Sequence, residues 1–169
     1  MDGFWQQGSG LRKVMFGLGV AAVAGVLVRF VAMPTYQDYQ TRNKVSEAIA
    51  TIAMCRTEIA RIVRTTSADL LSTSLFACDG GASSGGQIPR HLKSIAVRAT
   101  GAMTITLDHR FLPELTLATS SVTVVPMLDA KSALRTTDVG KTVLAWRCGS
   151  PEDGTTIPGK YLPTDCSAK

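Results

Sequence analysis

The chain has little of what enzymes and cofactor-binding proteins use. Its 169 residues include two histidines, His91 and His109, and aromatic residues make up only 6%. It contains none of the motifs G-x-x-x-x-G-K-[ST], H-E-x-x-H or G-x-S-x-G, which bind phosphate, ligate zinc or present a nucleophilic serine. We therefore expect no catalytic site, no metal site and no cofactor.

Clustered positive charge is also missing. The 18 Lys+Arg exceed the 13 Asp+Glu and give a formal net charge of +5, but no run of like charges accompanies this excess. Nucleic-acid-binding domains more often carry their Lys and Arg residues on one face or one element. No specific nucleic-acid site is evident.

One long apolar run is present. Val14 to Met33 reads VMFGLGVAAVAGVLVRFVAM, with Arg29 as its single charge. About twenty apolar residues are needed for a helix to cross a bilayer. We expect residues 1–13 to form a short polar and basic N-terminal segment and residues 14–34 to form a transmembrane half-helix. No clean signal-peptide cleavage site follows it, so we expect it to be retained.

Small residues recur within this run at intervals of four, at Gly17, Ala21 and Gly25, with Arg29 one turn further on. Small residues at that spacing let helix backbones approach closely in lipid, although glycine and alanine are also common in membrane helices. Arg29 either pairs with an acid of a neighbouring subunit or extends to the interface. These four residues are the candidates for subunit packing in the apolar helix.

Pro34 is predicted to join the apolar half-helix to an amphipathic continuation that ends at about residue 64. Apolar residues recur there at spacings of three, four and seven, which indicates a helix with one buried face. They are Val45, Ile49, Ile52, Ile59 and Val63. Residues 35–169 are therefore predicted to form a globular domain that begins with this helix.

The rest of the domain is predicted to be a loop and then a sheet. Residues 65–90 contain DGGASSGG and read as a loop by composition,. Four β-like runs follow between residues 91 and 147, namely 92–98, 103–107, 121–126 and 141–147, and Leu115–Leu117 either begins the third early or forms its own piece. The predicted fold class is α+β, with the long helix packed on a four-stranded antiparallel sheet.

Four cysteines, Cys55, Cys78, Cys148 and Cys166, follow the apolar run without C-x-x-C spacing. An even number in a small domain outside the cytoplasm favours disulfide bonds, and three pairings are possible. Pairing Cys55 with Cys78 and Cys148 with Cys166 closes two local loops, each worth roughly 3 kcal/mol by chain entropy. We expect that pairing.

The segment 148–166 is predicted to be a disulfide-closed C-terminal loop. Its turn residues and polar side chains suggest a contact surface for neighbouring subunits or host ligands, and an ordinary stapled C-terminus is the alternative. The candidate exposed residues are Pro151, Asp153, Gly154, Lys160 and Tyr161.

Both ends of the domain resemble a known family. The segment PTYQDYQTRNKVSEA (residues 34–48) is similar to the helix of type IV pilins just past its apolar half, and WRC (146–148) with GKYLPTDC (159–166) is similar to their cysteine-closed C-terminal loop. The resemblance implies a long helix under an antiparallel sheet and the same disulfide pairing. It also implies assembly with other pilin subunits, by a pilus assembly machinery, into a surface filament that serves adhesion, twitching motility or DNA uptake.

The stretch before Pro34 departs from the pilin pattern. Pilin precursors carry a glycine–phenylalanine junction and a glutamate at the fifth mature position, and Gly17 stands where that glutamate is expected. The alternative is therefore an unprocessed pilin-like protein that stays anchored in the inner membrane and modulates or mimics pilus assembly. Arg12 and Lys13 before the span favour a cytoplasmic N-terminus, while Arg42 and Lys44 after it favour the opposite,. The cysteines decide for a periplasmic globular domain, because disulfide bonds need an oxidising compartment, with an extracellular filament if the chain assembles.

Overall fold

The computed structural model describes residues 33–76, 78 and 89–166. The chain divides into two compact units, Met1–Asp38 and Tyr39–Lys169. Of the first unit only the helical residues 33–38 are described. The four-stranded sheet and the buried core belong to the second unit.

Two consecutive helices, α1 (Met33–Thr51) and α2 (Ala53–Thr65), occupy the predicted helical region. The five residues of the predicted apolar stripe are all buried, and they share one core cluster with residues of the sheet. The spacing of three, four and seven therefore identified the buried face correctly, because residues so spaced lie on one side of a helix. Pro34 lies within α1.

The helix is interrupted at Ile52, where the sequence predicts continuity. The Thr51 hydroxyl donates a hydrogen bond to the carbonyl oxygen of Ala48 at 2.7 Å. The Ile52 N–H donates to the carbonyl oxygen of Ile49, only three residues back, at 3.4 Å. A threonine hydroxyl bonded to a carbonyl of the preceding turn competes with the backbone ladder and often bends a helix. Helix continues on both sides of this single residue, so the predicted long helix is confirmed with a local irregularity at Ile52.

The C-terminal end of α2 is tied to the later part of the chain. The carbonyl oxygen of Val63 accepts a hydrogen bond from the Gly140 N–H at 2.8 Å. Carbonyls of a last helical turn have no partner within the helix and need one elsewhere. This bond holds the connection between the third and fourth strands against the end of α2.

Four antiparallel strands form the sheet in the order β1 (Leu92–Val97), β2 (Met103–Leu107), β3 (Ser121–Met127) and β4 (Ala145–Cys148). The predicted α+β class, the strand number and the antiparallel pairing are confirmed. The strands β1 and β2 were predicted from alternating residues, because successive side chains of a strand point to opposite faces of the sheet. The piece Leu115–Leu117 is not a strand, and a 3-10 turn follows at Leu117–Thr119.

Strand β4 is shorter than predicted, beginning at Ala145 rather than at residue 141. The preceding residues form a turn around the carboxylate of Asp138, which accepts a hydrogen bond from the Arg135 N–H at 2.8 Å and one from Lys141 Nζ at 2.7 Å. Gly140 within this turn has φ +76°. Residues held in such a turn are not extended, so the strand begins only after it.

Strand β3 occupies the centre of the fold. From Val122 to Met127 every residue is buried, whereas β1 has exposed positions along it. One face of β3 contributes to the helix–sheet core, which contains Val122 and Val124. A strand buried at consecutive positions is covered on both faces. Part of the second cover is the C-terminal loop.

Candidate functional site

The C-terminal loop is closed by the predicted disulfide bond. Cys148, the last residue of β4, is bonded to Cys166, with the two Cα atoms 4.6 Å apart. Between them the chain forms three short 3-10 turns, at Pro151–Asp153, Gly159–Tyr161 and Thr164–Cys166. This part of the disulfide prediction is confirmed.

The loop also completes the pairing of β3. Strand β4 pairs with β3 only from Val124 onwards. Before that point Ser121 exchanges hydrogen bonds with Thr156: its N–H donates to Thr156 Oγ1 at 3.1 Å, and its carbonyl oxygen accepts from the Thr156 N–H at 2.8 Å. The Thr123 N–H donates to Thr155 Oγ1 at 3.0 Å. The loop therefore satisfies strand groups that would otherwise lack partners.

An ion pair fixes the start of the loop. Arg147 donates from Nε and Nη2 to the two carboxylate oxygens of Asp153, each at 2.7 Å. The Asp153 side chain is largely shielded from solvent and that of Arg147 is about one third exposed. The hydrogen bond to Asp153 raises the pKa of Arg147. Two parallel bonds orient a carboxylate firmly, so Asp153 holds the loop to β4 and does not face outward as predicted.

Tyr161 is a second correction. It was expected on the exposed surface of the loop, but it is only 2% exposed and belongs to the main core cluster. Lys160, next to it, is exposed and places Nζ 4.5 Å from the centre of the Tyr161 ring. Pro151 and Gly154 are exposed as predicted. The exposed residues of the loop are Pro151, Glu152, Gly154, Thr156, Pro158, Gly159, Lys160, Thr164 and Asp165.

Comparison with known families agrees with this architecture. The sequence model of the Pilin family, described as bacterial filament proteins, matches residues 41–167. This range includes most of the helical region, the sheet and the disulfide-closed loop 148–166, called the stapled loop below. The chain belongs to the pilin family. Members of this family are structural subunits of bacterial filaments. Membership therefore makes the protein a pilus subunit, and it implies assembly with other pilin subunits.

A solved type IV pilin has the same fold. The crystal structure of the type IV pilin from Pseudomonas aeruginosa strain Pa110594 superposes with a TM-score of 0.54, at 17% sequence identity, and covers 75% of this chain and 97% of that one. At this identity the likeness establishes the fold. No curated protein sequence matches the chain.

The other predicted residues lie partly in the core and partly outside the described residues. Cys55 and Cys78 are both buried in the main core cluster, and a disulfide bond between them stays a prediction. The candidate packing residues Gly17, Ala21, Gly25 and Arg29 lie outside the described residues. Within the described ranges, no helix is sufficiently long and apolar to cross a membrane.

The side chain of His91 lies close to α1 in the pilin domain. His91 is buried, and its Nε2 lies 3.7 Å from Glu47 Oε2, beyond hydrogen-bond distance,. Across the residues that the structure describes, no three acidic, histidine or cysteine side chains are grouped so that they could hold a metal ion.

One feature of the pilin domain escaped the sequence analysis. A pocket of about 490 Å³ lies beside α2, and its walls include Arg56, Arg61, Arg64 and Trp146. Trp146 is half-buried and packs against the main core cluster. The signal available in the sequence was the three arginines of one helix, of which Arg61 and Arg64 are three residues apart and therefore neighbours on its surface.

Proposed function

We propose that the chain is a structural subunit of a type IV pilus-like filament on a bacterial surface, with its long helix in the filament core and its stapled loop outside. The match of residues 41–167 to the pilin family carries this proposal. The helix–sheet arrangement and the Cys148–Cys166 bond support it. Such a filament would serve adhesion, twitching motility or DNA uptake.

Exposed apolar side chains on the helices support a role in assembly. Tyr36 and Tyr39 are 60% and 62% exposed, and they lie three residues apart in α1. Met54 of α2 is 66% exposed. Burying a large apolar side chain contributes about 1.5–3 kcal/mol. Repeated contacts between identical subunits that do not close into a ring build a helical filament and can bury such residues in every copy.

The stapled loop supplies the outward surface in this proposal. Its exposed residues include Pro151, Gly154 and Lys160, while Asp153 and Tyr161 hold its inner side. A loop on a rigid support is the usual place for contacts that vary with the ligand. Adhesion would therefore depend on the outward side chains and leave the inner ones unchanged.

The decisive experiment determines the cellular location and the mass of the protein made in its own host. The N-terminal residue and the mass are measured in the membrane fraction and in the fraction sheared from the cell surface. A filament subunit is expected in the sheared fraction, shortened by about ten to thirteen residues if a leader is removed at the position suggested by the pilin resemblance. A full-length chain that starts at Met1 and stays in the membrane fraction contradicts the filament proposal.

A pair of variants tests the role of the helix. Tyr39→Ala is expected to reduce the sheared filament while the amount in the membrane stays unchanged, because the helix loses apolar contact area between subunits. Phe111→Ala is the matched control, since Phe111 is an exposed aromatic residue that lies outside both helices. Equal yields of sheared filament from both variants would show that the helix surface is not the assembly contact.

The second candidate function is an anchored pilin-like protein that stays in the inner membrane and modulates or mimics pilus assembly. One observation favours it: Gly17 stands where the pilin resemblance places a glutamate. Gly17→Glu separates the two functions. The substitution is expected to increase the sheared fraction if the missing acid limits assembly of an anchored protein, and to leave the yield unchanged if the chain already assembles.

A further inference from the structure

The pocket beside α2 is bounded by a helix face and by the connection that leads into β4. Arg56, Arg61 and Arg64 of α2 form one side, and Val143 and Trp146 contribute to the other. The hydrogen bond from Gly140 to Val63 holds the two sides together. Its volume of about 490 Å³ lies within the range of small-molecule sites,.

The charge in this pocket is positive and only partly compensated. Arg61 is bound by Glu58, with its Nε 2.9 Å from Glu58 Oε2. None of the described residues forms an ion pair with Arg56 or Arg64. The residues that line the pocket include no acid. Two guanidinium groups are thus available to an anion that enters from solvent.

Arg56 is the residue that most needs such an anion. Its side chain is half-buried, its Nε is shielded from solvent, and no described residue accepts a hydrogen bond from that atom. Burial lowers the pKa of its guanidinium group. A buried donor without an acceptor is destabilising, and a buried charge without a counter-charge is more so. A bound oxyanion would supply the missing counter-charge to the part of the guanidinium group that lines the pocket.

The opposite wall of the pocket determines which kind of molecule can carry the anionic group. Trp146 and Val143 are half-buried and apolar, and the indole has a flat face suited to planar groups,. Guanidinium groups bind the oxygens of carboxylates and phosphates in a planar fork. We propose that this pocket binds a small organic anion, namely a carboxylate or phosphate group carried on a flat apolar body.

In this arrangement Arg56 and Arg64 bind the oxyanion and Trp146 contacts the flat body. Arg61 stays with Glu58 and adds positive potential. The site lies apart from the outward surface of the stapled loop, so occupancy does not depend on the contacts proposed for that loop. All described residues that line the pocket belong to one chain, so binding can be measured on the unassembled protein.

The test uses the full-length chain in detergent with Trp5→Phe, which leaves Trp146 as the only tryptophan. Phenyl phosphate, benzoate and the neutral benzyl alcohol are titrated at constant ionic strength while tryptophan fluorescence is recorded. At least one of the two anions is expected to change the fluorescence in a saturable manner, and the alcohol is not. The stronger of the two anions then identifies the head group.

Arginine variants show whether the response comes from the pocket. Arg56→Gln and Arg64→Gln are each expected to weaken binding by about tenfold or more, the scale of a lost hydrogen bond to a charged group. Arg135→Gln is the matched control, because Arg135 is exposed and does not line the pocket. Should Arg56→Gln fail to fold, the exposed Arg64 still provides the test.

Three results would overturn the proposal. The first is the absence of a saturable response to either anion. The second is an equal response to benzyl alcohol, which would indicate apolar contact alone. The third is an affinity for the anions that is the same in Arg64→Gln as in Arg135→Gln.

Discussion

Replacing Gly149 by alanine is expected to disrupt the closure of the C-terminal loop. Gly149 follows the disulfide-bonded Cys148 and has φ +79°, in the left-handed region. A Cβ atom there would lie 1.9 Å from the carbonyl oxygen of Cys166 and 2.8 Å from Leu162 Cδ1. The carbonyl belongs to the other half of the disulfide, so it cannot move away without displacing the bridge.

Two costs add at this position. A non-glycine residue in the left-handed region costs about 1–2 kcal/mol. Overpacking against fixed neighbours typically adds about 1–3 kcal/mol. Gly149→Ala is therefore expected to lower the free energy of unfolding by about 2–5 kcal/mol in total.

Gly140→Ala is the matched control. Gly140 has φ +76°, almost the same backbone conformation, but no atom of the residues that the structure describes lies within 4 Å of the position of its Cβ. This substitution carries the conformational cost of about 1–2 kcal/mol alone. The difference between the two variants therefore isolates the close approach of the Cys166 carbonyl.

Urea unfolding of both variants, with free thiols counted by alkylation and mass spectrometry, measures this difference. Gly149→Ala is expected to be the less stable variant and to contain a larger share of unpaired Cys148 and Cys166. Equal free energies of unfolding and equal thiol counts for the two variants would refute the reasoning.

Three further predictions concern the core, the staple and acid stability. Ile59→Ala removes a fully buried side chain and is expected to cost about 2–5 kcal/mol in urea unfolding,, whereas Met54→Ala at an exposed position stays within about 0.5 kcal/mol. Cys148→Ser is expected to lower the melting temperature by the loss of about 3 kcal/mol, and a melting temperature equal to that of the unsubstituted chain would contradict the role of the staple. Hydrogen bonds from Arg110 lower the pKa of Asp108 from 3.8 to about 2, so this stabilisation is present above pH 3.8 and is lost as the pH falls towards 2. Asp108→Asn is therefore expected to be less stable at pH 7 and equal to the unsubstituted chain near pH 2, and a constant difference across that range would contradict the assignment.

The elements with a clear periodic pattern were predictable from the sequence. The stripe from Val45 to Val63 identified the buried helix face, and alternating residues identified β1 and β2 almost to the residue. Burial on one face leaves a trace in every second residue of a strand or every third and fourth residue of a helix. The pairing of Cys148 with Cys166 was also predictable, because it closes a short local loop.

What the sequence did not reveal depends on contacts between distant segments or on a single side chain. The irregularity at Ile52 follows a hydrogen bond made by the hydroxyl of Thr51, and β4 begins late because the turn around Asp138 precedes it. Tyr161 was expected to be exposed because it lies among turn residues, yet it fills the core. The pocket at Arg56 requires the β3–β4 connection to fold back on α2. Local periodicity contains no information on any of these.

The contacts of the stapled loop show that it extends the hydrogen bonding of the sheet in addition to forming an exposed surface. Thr156 bonds the N–H and carbonyl groups of Ser121, and Thr155 bonds the N–H group of Thr123, at the part of β3 that β4 does not reach. A strand with unpaired backbone groups invites pairing with another chain, and the loop prevents this at β3. The bond between Cys148 and Cys166 fixes the two ends of the segment that does so. We therefore expect the loop to tolerate substitutions at its outward residues. Substitutions at its inward residues are expected to unfold the loop.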